Sequence, residues 1–246
     1  MRRVTFDGHD LAQYVYVEDV RRPLFAGLRV ETATVGGRGG AIFKSAVLDT
    51  PIVEVDIRCI SDSKEEMRFE LSRLASCLAV DGPKHFTQSD RPGLYDIAIP
   101  TGIPQVDELY ETGGATLQFM LLEPASYTEN ERIVTIPSGS SKTISLDGNY
   151  PTAPLLTIQN AIRDLTTGIY SIKNEVGDFI HIPLPDNSTH KIVIDCASDK
   201  RTVMVDNSLS FPSLDSDWLE LQPGQHTLEN DFGSGECVIT FRERWL

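Results

Sequence analysis

Apolar and polar residues alternate along many short segments of this chain. In residues 51–59, one face is apolar (Val53, Val55, Ile57, Cys59) and the other is polar. A period of two is typical of a β-strand with one buried face. We predict strands of this kind in nine further segments, namely 14–20, 94–99, 115–122, 132–136, 168–173, 179–182, 191–195, 202–205 and 237–242.

One segment, residues 61–80, has helical spacing instead. Its apolar residues recur at intervals of three or four, at Met67, Leu71, Leu74 and Leu78. This spacing places them on one stripe of a helix. Ser63 followed by Glu66 predicts a capping box at the start, and Gly82-Pro83 ends the helix. We therefore predict one surface helix, from about residue 63 to residue 80, that packs against a sheet.

Turn-forming pairs separate the predicted strands, at Gly113-Gly114, Asp147-Gly148, Asp186-Asn187 and Pro223-Gly224. Many strands at short spacing favour sandwiches or barrels over a parallel α/β sheet. The polar segment 123–130, which contains a proline, predicts a domain boundary. We therefore predict a mainly β protein, with an α+β first domain (1–130) and an all-β second domain (131–246).

The composition of the chain argues against several classes of protein. Hydrophobic residues make up 40% and charged residues 24% of the 246 residues, as in ordinary soluble domains. The net charge is −14, and residues 1–130 (13 basic, 20 acidic) and 131–246 (9 basic, 16 acidic) each contribute −7. A protein that binds nucleic acid needs basic residues to neutralise phosphates, and the sequence contains no run of basic residues. We also expect no membrane span and no secretory signal, because no long apolar stretch occurs.

Cysteine and histidine spacing does not indicate a metal site. The four cysteines (Cys59, Cys77, Cys196, Cys237) are far apart and lie among apolar residues, so we predict buried, reduced thiols. His181 and His190 could meet across a hairpin, but two imidazoles without a third ligand hold a metal poorly. The remaining histidines, His9, His85 and His226, are isolated.

Candidate catalytic features are also weak. Residues 36–40 are glycine-rich, but no Lys-Ser/Thr pair follows and residues 41–43 suggest a strand, so a hairpin tip is favoured over a phosphate loop. Asp215, Asp217 and Glu220 could supply a glycosidase pair, yet nearby carboxylates are common in so acidic a chain. We expect no catalytic residue, no cofactor-binding residue and no metal ligand; a hydrolase of cell-wall sugar is the enzymatic alternative.

Several short motifs follow one another in a distinctive order. They are Asp147-Gly148-Asn149-Tyr150-Pro151-Thr152-Ala153-Pro154, Ile194-Asp195-Cys196, the strand at 201–206, Leu221-Gln222-Pro223-Gly224 and the closing residues 240–246. In the first half, Phe6-Asp7-Gly8 and the glycine-rich tip at 37–43 agree with them. Together these motifs resemble the distal tail protein (Dit) family of siphophages and related prophages, and the resemblance covers essentially the whole chain.

This resemblance implies a structural hub at the virion tail tip. It implies a split-barrel-like first domain related to tail-tube subunits, with one helix, followed by a galectin-like β-sandwich. Six copies are expected to form a ring, possibly stacked. The expected partners are the major tail-tube protein, a tail-associated tip protein, and receptor-binding or other adhesion proteins on the second domain. DNA is expected to pass through the ring without specific binding. Assembly is expected in the host cytoplasm, without a membrane and without a cofactor.

A carbohydrate-binding β-sandwich that contacts the host surface remains the alternative function. Sugar stacking usually needs an exposed aromatic ring, and Trp218 and Trp245 are the only tryptophans. Larger members of the family carry extra carbohydrate-binding modules inserted in the second domain. With 246 residues, this chain is expected to lack such modules.

Overall fold

The chain divides into two units in the computed structural model. The structure describes residues 2–37, 39–102, 104–109, 112–165, 167–174, 179–232 and 234–246. The first unit runs to Tyr127, and the second spans Thr128–Trp245. More than twenty short strands are spread over these residues, against a single α-helix among the residues described. The predicted mainly β fold is therefore confirmed.

The first unit is built on one antiparallel sheet with the order β2-β1-β7-β8-β10-β6-β3. Strand β9 extends this sheet beside β10, and β11 pairs with β8. Two further strands, β4 and β5, pair only with each other. The elements up to residue 128 are β1 (Val4–Phe6), β2 (His9–Asp10), a 3-10 turn (Leu11–Gln13), β3 (Tyr16–Arg21), β4 (Leu28–Ala33), β5 (Ile42–Leu48), β6 (Ile52–Ile60), α1 (Lys64–Leu78), β7 (Lys84–Gln88), β8 (Leu94–Thr101), β9 (Asp107–Leu109), β10 (Thr112–Leu121) and β11 (Ser126–Thr128).

The helix forms where its sequence predicts, with one difference at its cap. The Ser63 hydroxyl accepts a hydrogen bond from the Glu66 amide at 3.2 Å, as in a capping box. The Glu66 carboxylate accepts from the amide of Asp62, one residue before the cap, at 3.3 Å. Met67 and Leu74 are fully covered and face the same core as the buried residues of β6, so the predicted apolar stripe is confirmed.

A buried ion pair lies between β8 and the residue that follows β3. Arg22 donates two hydrogen bonds to the Asp96 carboxylate, at 2.6 and 3.0 Å. The Ser126 hydroxyl donates to the same carboxylate at 2.5 Å and accepts from the Arg91 guanidinium at 2.8 Å. Burial and the neighbouring Arg22 lower the pKa of Arg91. Asp96, only 5% exposed, therefore faces two guanidinium groups.

The second unit is a sandwich of two antiparallel sheets. One sheet has the order β12-β21-β14-β17-β18-β19 and the other β13-β20-β15-β16. Side chains from both sheets enclose one apolar core. The strands are β12 (Arg132–Ile136), β13 (Ser140–Leu146), β14 (Leu155–Ile162), β15 (Ile169–Asn174), β16 (Phe179–Pro183), β17 (His190–Asp195), β18 (Thr202–Val205), β19 (Ser208–Ser210), β20 (Gly224–Phe232), β21 (Ser234–Phe241) and β22 (Arg244–Trp245).

One polar pair is enclosed in this sandwich. The Tyr170 hydroxyl, on β15, donates to the side-chain oxygen of Asn230, on β20, at 2.5 Å. The Asn230 amide nitrogen donates to the carbonyl oxygens of Ile136 (3.0 Å) and Gly235 (2.9 Å). Burial raises the pKa of Tyr170 far above its ordinary value. The amide therefore links both sheets while its polar atoms are satisfied.

Three of the four cysteines are buried as predicted, and one is not. Cys59, Cys196 and Cys237 are covered, and burial raises the pKa of the Cys196 and Cys237 thiols to about 12. Cys77 is only half-buried, because it lies on the flank of α1, where its sulfur is 3.4 Å from the Tyr14 hydroxyl. The prediction of burial is wrong for Cys77.

Candidate assembly surface

Strands β4 and β5 form a hairpin whose apolar side chains are exposed. Leu28 pairs with Leu48 and Val30 with Ala46, on one face of the ribbon. Phe43 is 64% exposed. An isolated two-stranded hairpin is marginally stable in water, and exposed apolar patches of this kind mark interaction surfaces. We call residues 24–48 the β4–β5 arm; its other exposed large apolar residues are Leu24, Phe25, Val35, Ile42 and Val47.

The tip of this hairpin is the glycine-rich segment. Gly37 and Gly40 have φ angles of +81° and +87°, which glycine adopts without strain. The predicted hairpin tip is thus confirmed for the described residues, and Arg38 lies outside them. Residues 24–48 carry three basic residues and one acidic residue, so this arm is +2 while the remainder of the chain is −16.

The first unit also carries an apolar groove of about 350 Å³ between α1 and the sheet. Leu71 and Leu78 line it from the helix, and Pro104, Val106 and Leu117 line it from the other side. Beside the groove, Gly113 packs closely against α1, because a Cβ atom there would lie 3.1 Å from the Met67 sulfur. The unit therefore presents two different apolar surfaces, the β4–β5 arm and this groove.

The motifs at residues 147–154 and near the end of the chain meet in the second unit. The Tyr150 amide donates to the Arg244 carbonyl at 3.2 Å, and the Arg244 guanidinium lies 4.8 Å from the Tyr150 ring centre. Thr152 and Leu221 exchange two backbone hydrogen bonds, of 2.9 and 2.8 Å. The Cys196 amide donates to Pro154 at 3.2 Å. These motifs thus build one backbone junction.

The histidines singled out in the sequence do not meet. His181 lies on β16 with its Nδ1 3.4 Å from the Asp215 carboxylate, whereas His190 lies on β17 in the other sheet. The expectation that His181 and His190 could meet across a hairpin is therefore wrong, because β16 and β17 do not pair with each other. Among the described residues, no group of three or more His, Cys, Asp and Glu side chains is placed to hold a metal ion. No helix among those residues is long and apolar enough to cross a bilayer.

His190 lies between two carboxylates. Its Nδ1 is 2.7 Å from Asp206 and its Nε2 is 3.1 Å from Asp186. The hydrogen bond with Asp206, followed by that with Asp186, raises the pKa of His190. The same contacts help to lower the pKa of Asp206 and of Asp186, whose largest lowering comes from Ser188. The protonated imidazole is therefore favoured in the folded state.

We expect His190 to make stability depend on pH. Because its pKa is raised on folding, its stabilisation is complete below about pH 6.5 and is lost as pH rises through the higher folded pKa. The difference in urea midpoint between the wild-type protein and His190→Gln should therefore shrink between about pH 5.5 and about pH 8.5. His85→Gln, which alters an exposed ring stacked on Tyr95, is the control. An equal difference at both pH values would contradict the assignment.

Comparisons with known proteins agree with this two-part architecture. Residues 9–121 match the family model of the phage tail protein RIFT-related domain. Residues 147–245 match that of the siphovirus-type tail component, C-terminal domain. The curated distal tail protein of Bacillus phage SPP1 is 27% identical over 256 residues, covering 98% of this chain and 94% of that protein.

A solved structure has the same fold. The crystal structure of SPP1 Dit is described as a paradigm of the hub adsorption apparatus in phages that infect Gram-positive bacteria. Its TM-score to this chain is 0.81 at 20% identity, with all of both chains covered. The fold is thus a split-barrel-like domain with one helix, followed by a galectin-like β-sandwich. With both domain models matched in order over most of its length, the chain belongs to the distal tail protein (Dit) family, the structural hubs of siphophage tail tips.

Proposed function

We propose that six copies of this chain form a ring that joins the phage tail tube to the tail-tip and adhesion components. Residues 1–130 form the ring, and residues 131–246 are the galectin-like domain that carries receptor-binding or other adhesion proteins. The observation that carries the proposal is the β4–β5 arm, whose apolar residues have no covering strand among the described residues of the chain. Such an arm is stabilised when a neighbouring molecule covers it.

The arm fits a second copy better than an unrelated partner. It is apolar and +2, whereas the remainder of each chain is −16, so copies of this chain attract it electrostatically. The groove beside α1 offers an apolar surface for its side chains. Because the arm and the groove are different surfaces, pairing them repeats head to tail and closes into a ring when the rotation permits.

The charge of such a ring suits a passage for DNA. Six chains of −14 carry −84 in total. Nucleic acid binds proteins mainly through basic side chains, so an acidic or neutral lumen lets DNA pass without holding it. The proposed role is structural, without a catalytic step. The ring assembles in the host cytoplasm with the tail-tube protein on one side and the tail-associated tip protein on the other.

We expect Phe43→Asp to abolish the ring, because it places a carboxylate on an apolar contact surface. Light scattering separates the two states clearly, since one chain is 27.3 kDa and six are about 164 kDa. Negative-stain images of the wild-type protein should show a particle with a central hole. Phe211→Asp is the matched control, because Phe211 is also exposed (75%) but lies in the second unit.

Two results would contradict the proposal. A wild-type protein that stays monomeric at high concentration, and forms no ring with tail-tip partners, rules out the ring. A ring that persists in Phe43→Asp leaves the hexamer but rules out the arm as its contact. Circular dichroism of both variants checks that the second unit and the first remain folded.

A further inference from the structure

A polar cleft of about 430 Å³ lies on the second unit, next to the Leu221-Gln222-Pro223-Gly224 motif, whose Gln222 lines it. Its volume lies in the range of small-molecule sites. It differs from the groove beside α1, because nearly all of its lining side chains are polar. They are Asn174, Arg201, Asp217, Trp218, Glu220, Gln222 and His226.

One extended segment supplies most of this cleft. Leu219 and Leu221 are buried in the sandwich core, while Glu220 and Gln222 are exposed and line the cleft. The alternation anchors the backbone on one side and presents polar groups on the other. Trp218 packs partly against the core and also lines the cleft, so its position is set by the core.

Contacts within the cleft fix several of these groups. The Gln222 side-chain amide donates to the Glu220 carboxylate at 3.0 Å. His226 Nε2 lies 2.6 Å from the Gln222 carbonyl oxygen. Asn174, on β15, is nine-tenths buried at the edge of the cleft. The polar groups are therefore held by the fold, which lowers the entropy lost when a ligand binds.

The chemistry of the lining suits a ligand that is rich in hydroxyl groups. Carboxylates accept hydrogen bonds from hydroxyls, the guanidinium of Arg201 donates them, and the amides do both. Trp218 adds an aromatic surface, which favours the C–H face of a sugar ring. Arg201 supplies one positive charge to the lining, and Asp217 and Glu220 supply two negative charges, so an anionic ligand is disfavoured.

We propose that this cleft binds a neutral saccharide. The ligand class follows from the combination of one tryptophan, paired hydrogen-bonding groups and a small negative charge. A phosphate-bearing polymer is disfavoured by Asp217 and Glu220. This binding is independent of ring assembly, because every residue that lines the cleft belongs to the second unit.

Saturation-transfer NMR on the full-length protein tests the proposal. The probes are the methyl glycosides of glucose, galactose and N-acetylglucosamine, with glycerol phosphate and lysine methyl ester as the anionic and cationic comparators. We expect at least one glycoside to bind, and Glu220→Gln to weaken it about tenfold, which corresponds to about 1.4 kcal/mol. Glu236→Gln, an exposed carboxylate outside the lining, should leave binding unchanged.

The variants also separate loss of binding from loss of folding. Trp218→Ala should abolish binding, but Trp218 contacts the core, so Glu220→Gln at an exposed position gives the decisive comparison. The proposal is overturned if no glycoside binds, if an ionic comparator binds more tightly, or if Glu236→Gln weakens binding as much as Glu220→Gln. Light scattering on the same samples measures ring assembly separately. Failure of the saccharide proposal is therefore distinguished from failure of the ring proposal.

Discussion

Asp96→Ala should destabilise the first unit by about 3–5 kcal/mol, as expected when one partner of a buried ion pair is removed. The carboxylate accepts two hydrogen bonds from Arg22 and one from Ser126. Without it, Arg22 and Arg91 lose the carboxylate that both guanidinium groups face in a largely covered site. The loss should exceed that of an ordinary surface carboxylate because the site is poorly hydrated.

Urea unfolding followed by far-UV circular dichroism measures this loss, and hydrogen exchange assigns it to peptides of the first unit. Asp81→Ala, at an exposed position in the turn after α1, is the control and should change stability little. Asp96→Asn keeps the shape but removes the charge, so we expect an intermediate effect. An Asp96→Ala protein as stable as Asp81→Ala would show that the ion pair contributes nothing.

Gly148→Ala should destabilise the second unit by about 3 kcal/mol, near the upper end of the usual cost of overpacking. A Cβ atom at this position would lie 2.5 Å from the carbonyl oxygen and 3.0 Å from the nitrogen of Arg244. The obstacle is backbone, which cannot rotate away as a side chain does. The junction between Tyr150 and Arg244 must therefore open.

Tryptophan fluorescence follows this change, because Trp218 and Trp245 both lie in the second unit. Gly82→Ala, in the first unit, is the control and is followed by far-UV circular dichroism: an added Cβ there meets no atom within 4 Å. A Gly148→Ala protein with the unfolding midpoint of the wild-type protein would show that the junction yields without cost.

The parts of the fold that depend on residues close to one another in the sequence were predictable from the sequence. Helix α1 combines a capping residue at its start with a regular apolar stripe. In β6, residues 53–59 alternate between apolar and polar side chains. The hairpin tip at residues 36–40 was also predictable, since glycine-rich turns carry their own conformational signal. Segments of this kind need no knowledge of the rest of the chain.

Other strands were missed because their partners are distant. Strand β20 is polar in sequence, and Asn230 is buried only because Tyr170 and two carbonyl groups satisfy it. Strand β4 was missed for another reason: β4 and β5 have no buried face, so alternation does not reveal them, and only residues 41–43 at the start of β5 suggested a strand. The candidate surfaces differ in the same respect. The β4–β5 arm is one continuous segment of the chain, whereas the cleft brings Asn174 together with residues far along the chain.

The position of the two ends of the second unit has a consequence for transferring this domain between proteins. The Thr128 amide donates to the Glu243 carbonyl at 3.0 Å, so the two ends of this unit lie side by side. A segment whose entry and exit coincide can be transplanted into a loop of another protein without stretching its host. Grafting residues 128–245 in this manner would join the sandwich to a new scaffold through a single narrow attachment.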